Sequence, residues 1–258
     1  MKTELPLALS LENIDFQYGK KIIFSNISLK LETGKMYAVI GPNGSGKSTL
    51  LKIMCGLQSG YKGRIIIDSK YIQADKKNDF AAFLPAETEP SLPFTLEQTI
   101  DIHADLKGRK KHEFRQKASR LISFLGLSQL HESVISELSS GERRRLYLLL
   151  ILSEDPALIA LDEPDAHLDM NISVKLYQIL KILAKDENKT VITATHDVNL
   201  ALSFADEIIL LSHDHKLDYF GPPGTKLLQK LKTVFENQIT SKKIGKRYVI
   251  FPSSASKI

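Results

Sequence analysis

Residues 41–48 read Gly41-Pro42-Asn43-Gly44-Ser45-Gly46-Lys47-Ser48, a Gly-x-x-x-x-Gly-Lys-Ser loop. Glycines at this spacing let the backbone wrap closely around a polyphosphate and turn its N–H groups inward. Lys47 supplies a cation for the terminal phosphates, and the Ser48 hydroxyl can ligate Mg²⁺. Two carboxylates, Asp162 and Glu163, end an apolar run at Leu158-Ile159-Ala160-Leu161. Ligands of α/β sheets sit at the carboxyl ends of strands, so Asp162 is placed to share Mg²⁺ with Ser48. Glu163 could polarise a water attacking a γ-phosphorus; the alternative is an acidic pair that only caps the strand end. His196 ends a further β-branched run and could reach the same phosphate or water, although a strand-end histidine is commonly structural. Tyr18 could stack on an adenine ring or simply pack an edge.

These groups need an open sheet to bring them together. Met36 to Ile40 is a short apolar strand, and helical character resumes from Thr49, the strand–loop–helix setting the glycine loop requires. Leu7 to Phe16 and Ile27 to Leu31 alternate apolar and polar residues, which predicts N-terminal antiparallel strands joined through a loop at Phe16 to Lys20. Arg64 to Ile67 and Phe80 to Leu84 read as strands. Pro85, Pro90 and Pro93 then interrupt regular structure. From Thr95 the pattern is helical, with Phe114, Ala118, Leu121, Ile122 and Leu125 on one face. Ser140 to Leu152 reads as a helix. Asn171 to Lys185 reads as another, with a stripe through Val174, Tyr177, Leu180, Ile182 and Leu183. Strands are expected at Thr190 to Thr195, Glu207 to Leu211 and up to Phe220, with a helix from Asp197 to Phe204. A short helix around Leu227 to Leu231 and a strand at Tyr248 to Phe251 close the chain. Repeated strand–helix units after a phosphate loop argue for an α/β fold: a core of mainly parallel sheet covered by helices, an N-terminal antiparallel β subdomain and a helical insert. The expected organisation is one domain over 1–258, with the insert at about 86–137 and a C-terminal extension at about 225–258.

The chain has 258 residues, 43% of them hydrophobic and 25% charged, with a net charge of +5. A mild excess of 35 Lys and Arg over 30 Asp and Glu is not the dense basic patch of a nucleic-acid binder. The Arg109-Lys110-Lys111 run reads as a solvated helix face. The single cysteine, Cys55, makes an intrachain disulfide impossible and reads as a core thiol in a reducing compartment. No signal-peptide core is present, and no apolar run approaches the ~20 residues of a membrane span. Membrane association would therefore go through a partner.

With these residues in place, the chain resembles the ATP-binding subunits of ABC transporters over nearly its whole length. Gly41 to Ser48 resembles the Walker A loop, and Leu158 to Glu163 resembles Walker B with its catalytic glutamate. Leu138-Ser139-Ser140-Gly141-Glu142 resembles the LSGGQ segment. Asp165-Ala166-His167-Leu168-Asp169 is similar to the D-loop, Thr195-His196-Asp197 to the switch-histidine segment, and Tyr18 to the adenine-stacking aromatic. The resemblance implies an ATPase in which Glu163, His196 and Lys47 act on ATP and Ser48 and Asp162 hold Mg²⁺. Implied ATP contacts are Tyr18, Gly41, Pro42, Asn43, Gly44, Ser45, Gly46, Lys47, Ser48, Thr49 and Asp169, with Ser139, Gly141 and Glu142 completing the ATP site of a second subunit. Ser139 and the N–H groups near Gly141 open a helix and so offer that anion site. Closure by ATP and release by hydrolysis would be the working switch. Further implied are transmembrane permease subunits docking near Pro85 to Phe94 and a peripheral place on the cytoplasmic face of the membrane.

Asp165-Ala166-His167-Leu168-Asp169, His196-Asp197-Val198-Asn199-Leu200-Ala201 and Gly221-Pro222-Pro223-Gly224 resemble the iron–siderophore, haem and cobalamin importer group. Other readings are a soluble ABC ATPase without transport and a slow-hydrolysing scaffold. A single phosphate loop and the absence of sustained heptads argue against ribosome-acting and DNA-end relatives. One departure matters. Phe83-Leu84-Pro85-Ala86-Glu87 places Ala86 where the resemblance implies a glutamine touching Mg²⁺ and the attacking water. Altered Mg²⁺ binding or looser coupling follows, with Glu87 as a candidate substitute.

Overall fold

The alternating residues of the N-terminus pair as a hairpin, β1 (Leu7–Tyr18) with β2 (Lys21–Glu32). The computed structural model describes residues 7–67, 80–87, 93–245 and 247–253. The loop expected at Phe16 to Lys20 is largely strand: Phe16 pairs with Phe24, and Tyr18 with Lys21. Only Gly19 and Lys20 form the turn, with Gly19 at φ +57°. Two buried aromatics facing each other across the hairpin extend the ladder past the point where the polar sequence suggests a break.

Gly34, at φ +72°, turns the chain into β3 (Met36–Ile40), whose five residues are all buried. The glycine loop follows and leads into α1 (Lys47–Met54), which buries Leu50, Leu51, Ile53 and Met54. β4 (Lys62–Ile67) returns to β1, completing an antiparallel sheet in the order β2-β1-β4. β5 (Ala81–Leu84) enters the main sheet.

The helical insert contains α2 (Leu96–Leu106) and α3 (Lys111–Phe124). Thr95 and Gln98 form a reciprocal cap at the start of α2. Phe114, Ala118, Ile122 and Leu125 are buried as the helical spacing predicts. They pack on α4 (Ser140–Ser153), whose second half buries Leu148, Leu149, Leu150 and Leu152.

β6 (Leu158–Asp162), α5 (Met170–Lys185), β7 (Thr190–Ala194), α6 (Val198–Phe204) and β8 (Glu207–Leu211) supply the expected alternation. The buried face of α5 runs through Ser173, Leu176, Tyr177, Leu180 and Ala184, while Ile182 is 51% exposed. The expected stripe through Ile182 is therefore displaced: 3.6-residue periodicity around Tyr177 and Leu180 leaves Ile182 on the outer side. β9 (Leu217–Gly221) runs antiparallel to β8. The main sheet has the order β5-β6-β7-β3-β8-β9, parallel from β5 through β8.

α7 (Thr225–Val234) packs beneath β9 and is followed by the hairpin β10 (Ile239–Ile244) and β11 (Arg247–Pro252). The lysine-rich β10 was not expected as a strand, because its sequence lacks apolar alternation. Its partner β11 orders it and in turn meets α6. Asn199 Nδ2 donates to the Ile250 carbonyl at 3.2 Å, and the Ile250 N–H donates to Asn199 Oδ1 at 2.8 Å. No helix among the described residues is long and apolar enough to cross a membrane. Of the expected docking loop, residues 85–87 and 93–94 are described, while Glu89 and Pro90 lie outside the described residues.

Candidate nucleotide site

β3 lies between β7 and β8, so its carboxyl end opens at the middle of the sheet. The loop leaving it is shaped by glycine. Gly41 has φ +156°, and a Cβ there would lie 2.5 Å from the Leu211 carbonyl oxygen of β8. Gly46 has φ +97°, and its Cβ would meet the Phe24 ring at 2.8 Å. Any side chain at either position would push the loop off its walls.

Lys47 is buried and folds over the loop, donating from Nζ to the Gly41 and Pro42 carbonyls at 3.0 and 3.1 Å. Burial pulls its pKa down from the usual lysine range, while the Glu163 and Asp162 carboxylates oppose that shift. Asp162 ends β6 with 3% exposure, and burial lifts its carboxyl above the ordinary range. The Ser48 hydroxyl hydrogen-bonds that carboxylate, so a hydroxyl and a carboxylate converge beside the phosphate loop. This all-oxygen pair suits a hard cation such as Mg²⁺.

Glu163 follows with φ +49°, its N–H bonded to the Ala194 carbonyl at 2.8 Å. That turn leaves the carboxylate beside the phosphate loop, where Oε1 lies 2.9 Å from His196 Nε2. Tyr18 stands at the other rim. Its ring meets Phe16 edge-on at 4.8 Å between centroids, and its hydroxyl donates to Gln58 Oε1 at 3.0 Å. Together these groups line a cleft of about 680 Å³ bounded by Tyr18, Asn43, Gly44, Gly46, Lys47, Ser48, Thr49, Glu163 and His196. Lys21 and Ile23 of β2 also line it. Sequence reading missed both; Lys21's pairing with Tyr18 across a two-residue turn was the available signal.

The remaining expected residues lie outside that lining. Ser139 caps α4: its Oγ accepts from the Glu142 N–H at 3.3 Å and donates to Glu142 Oε2 at 2.7 Å. The Ser139 N–H donates to the same oxygen at 2.8 Å, and these bonds hold Glu142 below the usual carboxylate range. A Cβ on Gly141 would lie 2.8 Å from the His167 carbonyl, so the first turn of α4 presses on the 165–169 loop. Asp165 in that loop accepts from Tyr177 at 3.2 Å and from Thr195 at 3.1 Å, and burial raises its pKa. Asp169 caps α5, accepting from the Ile172 N–H at 3.0 Å. Cys55 is a packed thiol that burial pushes up to about 12.

The sequence matches the family profile described as ABC transporter over residues 24–166, more than half of the chain. The chain belongs to the ABC transporter family. It is an ATP-binding, ATP-hydrolysing subunit of that family. It is 29% identical to the petrobactin import ATP-binding protein of Bacillus subtilis, covering 92% of this chain and 98% of that one. It is 32% identical to the hemin import ATP-binding protein of Vibrio parahaemolyticus, covering 82% and 84%. Among solved structures, a dimeric ATP-binding cassette in a post-hydrolysis state with ADP and Pi is similar with TM-score 0.71 and 26% identity, covering 84% of this chain and 100% of that one. The fold is shared with an ATP-binding subunit of an ABC transporter at TM-score 0.75 and 23% identity, covering 89% and 94%.

Proposed function

We propose that this ATPase powers import of a metal chelate, working as a homodimer attached to the cytoplasmic face of the membrane through permease subunits. Supporting the substrate class are the relatives named for petrobactin and hemin import. Supporting the dimer is the similarity to the dimeric cassette with ADP and Pi. The expected division into a core, an insert at about 86–137 and an extension from about 225 belongs to the same proposal.

The observation carrying the hydrolytic assignment is the convergence of Lys47, Ser48, Asp162, Glu163 and His196 at the carboxyl ends of β3, β6 and β7. In the proposed reaction the loop N–H groups and Lys47 bind the β- and γ-phosphates, with Lys47 exchanging its bonds to the Gly41 and Pro42 carbonyls for phosphate oxygens. Ser48 and Asp162 would hold Mg²⁺, which neutralises phosphate charge when bound. Glu163 orients a water and takes its proton as the water oxygen attacks the γ-phosphorus. The bond to the ADP oxygen then breaks, and ADP leaves with the bonding electrons. His196 holds both Glu163 and a γ-phosphate oxygen. Ser139 and Gly141 of the second subunit close the site from the other side.

Two substitutions test the assignment. Lys47→Ala should weaken ATP binding. Glu163→Gln should keep ATP bound, trap the dimer and lower turnover by at least about 100-fold, the low end for a positioned base. Wild-type turnover in Glu163→Gln would remove the glutamate from the mechanism. Uptake of ferric siderophore and hemin by cells with and without the gene tests the substrate class.

A further inference from the structure

Arg144 is the largest side chain among the fully buried residues, at 1% exposure, and no sequence motif singles it out. It lies on α4 two residues beyond Glu142. Its Nη1 donates to the carbonyls of Pro85 at 2.6 Å and Ala86 at 3.3 Å. Its Nη2 donates to the carbonyls of Asp162 at 2.5 Å and Glu163 at 2.7 Å. Among the described residues it makes no ion pair, and its Nε has no hydrogen-bond partner.

The placement follows from sheet geometry. β5 and β6 are parallel neighbours whose ladder ends with Leu84 opposite Leu161. Beyond that pair the β5–β6 ladder stops; the Glu163 carbonyl already accepts from the Ala166 N–H at 3.0 Å, and the guanidinium adds a donor to each of the four carbonyls that follow the two strands. A planar guanidinium with parallel N–H donors fits two such pairs of carbonyls at once; an ammonium, with three donors about one point, does not. Burying a cation is unfavourable unless its donors are satisfied and negative charge is near. Here the carboxylates of Asp162, Asp165 and Glu163 supply that charge.

The four acceptors are the backbone of the residues that matter for hydrolysis. Two belong to the proposed metal ligand and base. The other two belong to the loop where a glutamine is replaced by Ala86. The donor sits on the helix whose first turn carries Ser139 and Gly141. We infer that Arg144 is a positioning residue: it fixes the Asp162–Glu163 backbone against the 85–86 loop and makes α4 move with the hydrolytic site. With no side-chain amide at position 86, the loop follows the site through its main chain instead. This inference rests on the hydrolytic assignment made above.

The test compares full-length Arg144→Met, Arg144→Lys and Glu163→Gln by melting temperature, ATP affinity, kcat and KM. Arg144→Met should lower kcat by about 100-fold, the scale of a ~1 Å misplacement at a reacting centre, with ATP affinity within about threefold of wild type. Arg144→Lys keeps the charge and part of the bonding and should recover about tenfold of that loss. An active Arg144→Met overturns the inference. So does equal loss of ATP affinity and kcat with no recovery in Arg144→Lys, which would make the residue a fold brace only. If Arg144→Met does not fold, a folded Arg144→Lys must still show reduced kcat at unchanged ATP affinity; wild-type kcat there overturns the inference. Turnover by Glu163→Gln in the same assay would place the failure in the hydrolytic assignment, and the inference would fall with it. An inactive Glu163→Gln beside an active Arg144→Met would defeat the Arg144 inference alone.

Discussion

Asp162 is held in tension. Its carboxylate is buried at a strand end, and burial raises its pKa more than Ser48, Lys47 and Arg144 lower it. A carboxyl whose folded pKa exceeds the unfolded value of 3.8 contributes stability that is fully present below that value. The contribution is lost as pH rises through the folded pKa, so near neutrality the empty protein carries a destabilised anion. Asp162→Asn should therefore gain stability relative to wild type as pH climbs from about 4 toward neutrality, while losing Mg²⁺-dependent turnover. Urea midpoints across that range check it, and a difference independent of pH would show that the carboxyl is not strained. At this scale the phosphate loop, Asp162, Glu163 and His196 were legible because residue type and spacing are themselves the chemistry. Arg144 was not. Its charge is buried only because β5 and β6, whose paired ends Leu84 and Leu161 lie 77 positions apart in sequence, finish side by side, and nothing within Arg143-Arg144-Arg145 marks the middle arginine as the buried one.

The first turn of α4 does two things with one serine. Ser139 closes a reciprocal cap with Glu142, and Gly141 leaves no room between the helix and the His167 carbonyl. Ser139→Ala should cost about 1 kcal/mol through the lost cap. For a chain of this size that is a fall in Tm of about 2–4 °C. Gly141→Ala must displace either the helix or the 165–169 loop, whose Asp165 is tied to Thr195, next to His196. In a Glu163→Gln background it should prevent the ATP-dependent dimer seen by light scattering while leaving ATP binding intact. A dimer that still forms would free this turn from the interface. Element type was readable where one pattern ruled, as in the helical stripe of α3 and the continuous apolar run of β8. It was misread where pairing decided, as at the Phe16–Tyr18 end of β1 and in β10, whose lysines become a strand only against β11.

Across the whole molecule, the insert is bound to the core by clustered charge as well as apolar packing. Glu154, at the end of α4, meets His103 at 2.8 Å and Lys107 at 2.9 Å; both bonds oppose the burial of its carboxylate and hold it below the usual range. Asp155 bridges Lys117 of α3 and Lys189 ahead of β7. Glu154→Ala leaves Lys107, which is 39% exposed, free to be hydrated, so the loss should be about 1.5–3 kcal/mol, the range for a hydrogen bond to a charged group; it should loosen α2 from α4 and lower Tm by more than the loss of the Ser139 cap. Amide exchange would show the loss confined to α2 and α3 if the insert is an independent cooperative unit, and spread through the sheet if it is not. The exposed Glu87 sits on the loop between core and insert. Glu87→Lys should reduce transport more than basal ATPase, and equal losses would return that loop to the hydrolytic site.

β3 carries the phosphate loop, yet its hydrogen-bonding neighbours are β7 and β8: Met36 pairs with Val191, and Tyr37 with Glu207. A strand that is made first must wait for partners that lie about 155 residues further along the chain. Such non-local pairing slows folding and leaves a fully buried strand without its neighbours until they are made. ATP can then give little help to the growing chain, because the cradle that would grip it lacks its Leu211 wall until β8 has left the ribosome. Nascent chains arrested before Thr190 should fail to be retained on immobilised ATP, and retention should appear only once Leu211, which walls Gly41, has emerged.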